Sequence, residues 1–185
     1  MSSPIAIDWN TGALSGAPVG CSIKKLFQVR DLFLDQDRAA TMDPETILYR
    51  VQYWLPVAEG TAGDLFWGTT VIEPGRVGDE YFMTHGHFHA TRDRAEFYAT
   101  IQGQGALILM DESAATWFEP MKPGSLHYIP GQTAHRVANT GDTQLVFVTC
   151  CPSDAGHDYE SIRRRGFGAR LREVDGRPAL IAEDR

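Results

Sequence analysis

The sequence is poor in cysteine and has no long apolar run. Its only cysteines are Cys21 and the adjacent pair Cys150 and Cys151, and adjacent cysteines can be joined only through a strained ring. We therefore expect no disulfide framework and a reducing compartment, the cytoplasm. The chain has no stretch of about 18 consecutive apolar residues, and residues 1–20 lack the basic and apolar regions of a secretion signal. We expect neither a membrane span nor secretion.

Positive charge is also scarce. The chain has 17 Lys and Arg residues against 24 Asp and Glu, a formal net charge of −7, and the acidic residues are spread along it. Nucleic-acid binding needs a concentrated basic face, so the composition argues against a nucleic-acid partner. A length of 185 residues predicts a single domain, 1–185.

Helical patterns are few, and strand patterns are many. Residues 47–54 alternate, with Ile47, Tyr49, Val51 and Tyr53 on one side. Short apolar runs separated by Gly and Pro predict further strands over 65–72, 96–101, 106–110, 125–129 and 144–150. Only Ser22–Asp35 and Tyr159–Arg165 have a helical pattern. This spacing is typical of an all-β sandwich or barrel.

Chemically active residues concentrate in the segment Thr84-His85-Gly86-His87-Phe88-His89. Side chains at i and i+2 of a strand point the same way, so His87 and His89 can enter one cavity, and His85 joins them if the strand is regular. Together with Glu96 and the distant His135 they form a set of nitrogen and oxygen donors that suits Fe, Mn, Ni or Zn. A single histidine is more often an ordinary core or surface residue, but the combination favours a metal site.

The spacing around these residues resembles the two paired motifs of the cupin superfamily. The motifs are His87-x-His89-x6-Glu96-x6-Gly103 and Gly124-x5-Pro130-x4-His135-x3-Asn139. The resemblance implies an all-β, single-domain cupin, a double-stranded β-helix or jelly-roll barrel, with short N-terminal and C-terminal helical segments. It implies a barrel over 47–152, with residues 1–46 packing on it and 153–185 following it.

The same resemblance implies the metal ligands His87, His89, Glu96 and His135, with His85 near the mouth of the site. Two departures stand out. The interval between His89 and Glu96 is longer than cupins usually have, and Gly131 directly follows Pro130. We expect the longer loop to bulge and bring Glu96 back to the other ligands.

Further segments resemble the cupin-type phosphoglucose isomerases almost from end to end. They include Asn10-Thr11-Gly12-Ala13-Leu14-Ser15-Gly16, Asp93-Arg94-Ala95-Glu96 and Asp154-Ala155-Gly156-His157-Asp158-Tyr159. This resemblance implies interconversion of glucose 6-phosphate and fructose 6-phosphate through an enediol, in a homodimer. It also implies one divalent metal ion per subunit, Fe²⁺ ahead of Mn²⁺, Zn²⁺ or Ni²⁺. In the family the residue that matches Glu96 is the proposed base, and a hydride shift has also been considered.

The family resemblance further implies the substrate contacts. Thr70, Thr84 and the Gly86 backbone would bind phosphate, and the catalytic His157 and Tyr159 would close over the sugar phosphate. Thr70 and Thr84 also suit plain strand positions, and Tyr98 suits either the core or the pocket wall. Where the family commonly has a Tyr before Pro152, this chain has Cys151. We interpret Cys150 and Cys151 as small strand residues, His127 as structural, and Arg92 and Arg94 as solvated loop charges.

Two other functions fit a cupin metal site. A site of three His and one Glu can also activate O₂, as in an iron dioxygenase, and a cupin can bind a sugar phosphate without catalysis. The segment Asp154–Tyr159 argues against both. Measured O₂ uptake would separate the dioxygenase from the isomerase.

Overall fold

The computed structural model describes residues 4–183, and its secondary structure is mostly β. The strands of this part of the chain are Ala6–Ile7 (β1), Leu14–Ser15 (β2), Gly20–Lys25 (β3), Ile47–Trp54 (β4), Leu65–Ile72 (β5), Arg76–Val77 (β6), Glu80–Tyr81 (β7), Glu96–Gln102 (β8), Gly105–Met110 (β9), Thr116–Met121 (β10), Leu126–Ile129 (β11), Ala134–Asn139 (β12), Leu145–Pro152 (β13), Ala169–Val174 (β14) and Arg177–Ala182 (β15). The helices are Leu26–Val29 (α1), Gln36–Thr41 (α2) and Tyr159–Arg165 (α3), with a 3₁₀ turn over Arg30–Leu32. The prediction of an all-β cupin with short helical segments is confirmed.

Two antiparallel sheets make up the barrel. One has six strands in the order β11-β8-β13-β5-β4-β3, and the other has the order β10-β9-β12. The hydrophobic core draws on both, with Leu48, Ile72 and Phe147 from the first and Leu107 and Val137 from the second. Both sheets therefore bury apolar side chains in one core, as two packed layers of a β protein must.

The segment that carries the histidines lies beside β12. It is joined to that strand by isolated bridges from Met83 to Ala138 and from His87 to His135. Gly86 interrupts it with a φ of +79°, a conformation that favours glycine. The segment is therefore an irregular edge of the smaller sheet, and the regular strand that would align His85 with His87 does not form.

The helix predicted over Ser22–Asp35 is wrong in its first part. Residues 22–25 belong to β3, which pairs antiparallel with β4 at the edge of the large sheet. Of the apolar residues that suggested one helical face, only Leu26 is buried deeply, whereas Ile23 and Phe27 are exposed. Strand pairing outweighs the weak helical pattern here.

The helix predicted over Tyr159–Arg165 is confirmed as α3. It begins where the Asp158 side chain accepts a hydrogen bond from the backbone N–H of Ser161 at 3.0 Å, an N-cap. It ends at Gly166, whose φ is +66°. Within residues 4–183, no helix combines the length and apolar character that crossing a membrane requires.

Candidate active site

A cavity of about 370 Å³ opens inside the barrel. Its walls include every residue that the sequence predicted for the site, namely Thr70, Thr84, Gly86, His87, His89, Glu96, Tyr98, His135, His157 and Tyr159. His85 and Cys151 line it as well. The topology thus gathers residues far apart in sequence, because β4, β5, β8 and β13 present one face of the large sheet to the segment beside β12.

Four of these side chains form a compact set of metal donors. The donor atoms of His87, His89, Glu96 and His135 all lie within 4.8 Å of one another. Glu96 Oε1 lies 2.6 Å from Nε2 of His135 and 3.3 Å from Nε2 of His89. His87 and His135 face each other through the bridge between their backbones, with ring centroids 4.4 Å apart.

The hydrogen bonds behind the imidazoles suit metal binding. Nδ1 of His89 donates to the carbonyl of Arg94 at 2.7 Å, and Nδ1 of His135 faces the carbonyl of Thr133 at 3.3 Å. A carbonyl can only accept, so these contacts assign the ring proton to Nδ1 and turn the Nε2 lone pairs toward the centre of the cluster.

Two buried atoms at the centre lack a satisfactory partner. Glu96 Oε1 and His135 Nε2 form no hydrogen bond of suitable geometry, although they are close. An unsatisfied buried polar pair is costly, and a divalent cation would satisfy both atoms at once. The donor set therefore fits a metal ion.

The electrostatics of the cluster favour an ionised Glu96 carboxylate and a neutral His87, whereas at His89 burial is outweighed by the contact with Glu96, which raises the pKa of the imidazole. Burial alone would raise the pKa of Glu96, but the neighbouring His135 and His89 outweigh it and hold that pKa well below its usual value. Burial lowers the pKa of His87 well below that of free histidine. A carboxylate and neutral imidazoles are the forms that bind metal.

The loop between His89 and Glu96 does bring the carboxylate back to the histidines, as expected. The predicted role of its arginines is wrong, because Arg92 and Arg94 are not free solvated charges. Arg94 binds both carboxylate oxygens of Asp154, at 2.9 and 2.8 Å, and Arg92 pairs with Asp158. Both side chains are about one third exposed, and each guanidinium has a carboxylate partner more than 50 positions away, which a sequence cannot show.

The wall around Thr84 and Gly86 offers groups suited to an anion. The Thr84 hydroxyl accepts a hydrogen bond from the N–H of Val137 at 3.0 Å and keeps its own proton to donate. Behind this wall the buried guanidinium of Arg136 donates to the carbonyl of His85 at 3.0 Å. A Cβ on Gly86 would lie 2.8 Å from Arg136 Nε, so only glycine fits between the cavity and this arginine.

His157 and Tyr159 lie on the C-terminal side of the cluster. Their rings are stacked, with centroids 5.5 Å apart and an interplanar angle of 6°. The ring of His87 is 4.4 Å from that of His157 and 5.4 Å from that of Tyr159. Burial raises the pKa of Tyr159, so the phenol stays protonated at neutral pH and can donate a hydrogen bond.

Tyr98 and Cys151 close the cavity near the ligands. Tyr98 is buried, edge-on to His135 at 5.9 Å. The Cys151 sulfur lies 3.9 Å from His89 Nε2, and burial raises the pKa of this thiol far above its usual value. A buried, protonated thiol fits the interpretation of Cys151 as a small strand residue, and all three cysteines are unpaired.

His127 lies outside the cavity. Its ring contacts Glu119 at 2.6 Å and Ser125 at 2.8 Å, which fits the structural interpretation. Several cavity residues were missed by the sequence analysis, among them Tyr49, Phe147 and Thr149. The alternation of residues 47–54 could have found Tyr49, because it shares a face with Val51 and Tyr53, which also line the cavity.

Comparison with known proteins identifies relatives that match nearly the whole chain. The family model described as glucose-6-phosphate isomerase matches residues 27–181. A glucose-6-phosphate isomerase of Pyrococcus horikoshii is 38% identical over 98% of this chain and 95% of the relative. The protein of the same description from Thermococcus kodakarensis is 39% identical over 97% of this chain and 93% of its own.

Solved structures give a weaker likeness. Oxalate decarboxylase from Bacillus subtilis is 21% identical, with a TM-score of 0.46, over 60% of this chain and 26% of its own, so the chain spans about a quarter of that protein. The family model and the nearly full-length relatives are the stronger findings. They show that the chain belongs to the cupin-type glucose-6-phosphate isomerase family.

Proposed function

We propose that the chain interconverts glucose 6-phosphate and fructose 6-phosphate as a metal-dependent isomerase, through an enediol. Membership of the isomerase family supports the reaction. The observation that carries the metal dependence is the buried cluster of three imidazoles and one ionised carboxylate, in which Glu96 Oε1 and His135 Nε2 lack hydrogen-bond partners.

His87, His89, Glu96 and His135 would hold one divalent ion per subunit. The set of nitrogen and oxygen donors suits Fe²⁺, Mn²⁺, Zn²⁺ or Ni²⁺, and the family resemblance favours Fe²⁺ among them. When bound, the ion supplies Lewis-acid stabilisation of the negative charge that develops on the substrate oxygen.

We assign proton transfer to Glu96. Isomerisation removes a proton from the carbon next to the carbonyl carbon and returns it to the former carbonyl carbon, so one base suffices for both transfers. Glu96 is ionised and buried, so its carboxylate can accept a proton away from bulk water, although its low pKa makes it a weak base until its contacts with the histidines change during turnover. A hydride shift between the two carbons is the alternative, and it would leave Glu96 with the ligand role alone.

His157 and Tyr159 are assigned to the sugar oxygens. Burial lowers the pKa of His157, so its neutral ring can both accept and donate a proton as the enediol hydroxyls exchange theirs. The protonated phenol of Tyr159 donates a hydrogen bond beside it. Tyr98 limits the cavity on the opposite, ligand-bearing strand β8.

The phosphate is assigned to the wall formed by Thr70, Thr84 and Gly86. Hydroxyls and backbone N–H groups are donors, and phosphate is a dense acceptor. The positive charge of Arg136, buried directly behind Gly86, adds a favourable field for a dianion at this wall.

The reaction class is tested by incubating the metal-reconstituted protein with fructose 6-phosphate without O₂. We expect glucose 6-phosphate to form at the same rate as in air. Stoichiometric O₂ uptake with an enediol substrate, and no sugar-phosphate conversion without O₂, would favour a cupin dioxygenase instead. Tight fructose 6-phosphate binding with no conversion under either condition would favour a binding protein.

The chain is proposed to work as a homodimer. The neighbouring strands β8 and β11 present Phe97, Leu126 and Tyr128 to solvent, and these side chains are 47%, 67% and 54% exposed. A cluster of large apolar side chains on a sheet face is typical of an interface. Light scattering on the protein and on Leu126→Glu/Tyr128→Glu tests this: we expect a dimer and a monomer respectively, with Trp117→Glu as the control. A monomeric parent protein would contradict the proposal.

We place the enzyme in the cytoplasm. All three cysteines are unpaired, and Cys21 is exposed. An exposed free thiol is more compatible with a reducing compartment than with an oxidising one.

A further inference from the structure

The loop of residues 90–95, called here the fastening loop, is longer than the cupin motif needs to connect two metal ligands. Its residues Thr91, Arg92 and Arg94 all turn away from the ligands. They contact the segment of residues 154–158, called here the closing segment, which leads into α3 and carries His157.

The closing segment belongs to no strand, but its backbone is bonded to the loop and, through the bridge between Asp158 and Phe88, to the chain just before that loop. The N–H of Thr91 donates to the carbonyl of Ala155 at 2.9 Å, and the Thr91 hydroxyl donates to the carbonyl of Asp154 at 2.7 Å. The N–H of Asp158 donates to the carbonyl of Phe88, just before the loop, at 2.8 Å. His157 therefore lies between two points that are attached to the chain around the metal ligands.

Two ion pairs reinforce these attachments at either end of the closing segment. Arg94 binds Asp154 through both carboxylate oxygens, and the Asp154 side chain is only 13% exposed. Arg92 pairs with Asp158, lies 3.2 Å from the Ser161 hydroxyl and stacks over the ring of Phe88 at 4.2 Å. A bidentate arginine fixes orientation as well as distance, which a single point charge does not.

Arg94 also acts on the metal site through its backbone. Its carbonyl accepts the hydrogen bond from Nδ1 of His89, and its side chain holds Asp154. One residue thus fixes a ligand imidazole with its main chain and the closing segment with its guanidinium. Arg94 therefore links the ligand cluster to the segment that carries His157.

We propose that Arg92 and Arg94 are positioning residues, which hold His157 and Tyr159 against the metal-ligand cluster through Asp158 and Asp154. The inference rests on the proposed function, in which His157 and Tyr159 contact the substrate. The extra length of the fastening loop then has a purpose, because a shorter connection would not reach the closing segment. Loss of either pair releases the catalytic side chains and leaves the ligand donors in place.

The test is a double-mutant cycle of Arg94→Gln, Asp154→Asn and the double variant. We expect each single variant to lower kcat/KM by roughly tenfold to a hundredfold, since small misplacement of reacting groups is costly. The double variant should be no worse than the single ones, because both remove the same contact. Metal affinity, measured by titration, should change little, because the Arg94 carbonyl remains.

The matched control is Arg172→Gln. Arg172, in β14, pairs with Asp79 through two nitrogens on one carboxylate oxygen, and neither residue lines the cavity. We expect it to lower thermal stability about as much as Arg94→Gln and to leave kcat/KM unchanged. Unchanged kcat/KM in Arg94→Gln, or losses that add across the cycle, would overturn the proposal.

Hydrogen exchange gives a readout that does not depend on the reaction. The backbone N–H of Thr91 donates to Ala155, and the backbone N–H of Asp158 donates to Phe88. These two backbone hydrogen bonds join the closing segment to the chain around the metal ligands. We expect both amides to exchange faster in Arg94→Gln than in Arg172→Gln. If the parent protein does not isomerise sugar phosphates but these amides respond as described, the proposed function is wrong and the positioning role of the loop is supported. If the two amides exchange at the same rate in Arg94→Gln as in Arg172→Gln, the positioning role is wrong.

Discussion

At the scale of single residues, Glu96 has two proposed roles, metal ligand and base. Its carboxylate is almost fully buried, in contact with His135 and His89, and its low pKa follows from them. A carboxylate shared between a metal and a proton must exchange partners during turnover. Substitution can separate the tasks, because glutamine keeps the shape of glutamate without its charge and basicity.

Glu96→Gln is expected to keep part of its metal and to lose at least ~10²-fold in kcat, the low end of what a positioned general base contributes. Metal content by elemental analysis and kcat on the fully loaded fraction are the measurements. His87→Ala is the contrasting variant, since it should fail mainly by losing metal. Wild-type kcat in fully metallated Glu96→Gln would exclude proton transfer by Glu96 and favour a hydride shift, or a base such as His157.

Cys151→Ser is expected to stay active. Burial raises the pKa of the thiol and keeps it protonated, so kcat/KM should stay within about tenfold of the parent, or roughly 1.4 kcal/mol. The measurement is kcat/KM together with alkylation of the native protein, which should label the exposed Cys21 first. Loss of nearly all turnover with metal and substrate binding intact would make Cys151 a nucleophile and contradict its place as a wall residue.

Single residues also show what a sequence can and cannot predict about a site. His87, His89 and His135 were predictable because their chemistry and spacing are local or belong to a motif, and the structure places them together. Arg92 was misjudged because its partner Asp158 is 66 positions away in the chain. A charge in a loop looks solvated until the fold brings its counter-charge to it.

At the scale of elements, alternation predicted β4 and an apolar run bounded by turn residues predicted β5, both with their correct bounds. Other strands were hidden by their composition. Thr116–Met121 contains Pro120, which a central strand would not tolerate, but β10 lies at the edge of its sheet. Ala134–Asn139 is buried although it contains His135, Arg136 and Asn139, whose side chains bond to distant or local carbonyl groups that the sequence does not display.

The C-terminal hairpin was missed although it has a local signal. Strands β14 and β15 pair across Asp175 and Gly176, both with positive φ. Asp-Gly between two strands is a strong hairpin signal, because both turn positions need that conformation. Attention to this dipeptide would have extended the predicted β structure to residue 182.

The ion pair between the fastening loop and the closing segment predicts a pH dependence of stability. The hydrogen bonds from Arg94 lower the pKa of Asp154 below its usual value. A lowered folded-state pKa adds stability above the unfolded-state pKa, and this stability is lost as the pH falls through the folded-state value. The difference in unfolding free energy between the parent and Asp154→Asn should therefore be constant near neutral pH and shrink below about pH 4.

Urea denaturation at a series of pH values and constant ionic strength measures this difference. Asp142→Asn, at an exposed turn position, is the control. A parent-to-Asp154→Asn difference that grows toward acid pH would contradict the assigned pair.

At the scale of the whole molecule, the barrel holds a buried cluster of metal-donor side chains in the wall of an open cavity. The ligands come from the edge segment of one sheet, from β12 and from β8 of the other sheet, so the two sheets meet at the cluster. The chain after the barrel then returns over the cavity with His157 and Tyr159. One fold therefore brings together, from separate elements, the residues that we propose as metal ligands, base, anion wall and closing groups.

The most direct test of this account is isomerase activity of one preparation before and after metal removal. The rate of fructose 6-phosphate conversion is measured for protein shown by elemental analysis to be metal-free, and again after addition of Fe²⁺ or Mn²⁺ under anaerobic conditions. His127→Gln, which alters a histidine outside the cavity, serves as the control. We predict no conversion by the metal-free protein and recovery on adding metal, in the parent and the control alike; undiminished conversion by metal-free protein would contradict the account.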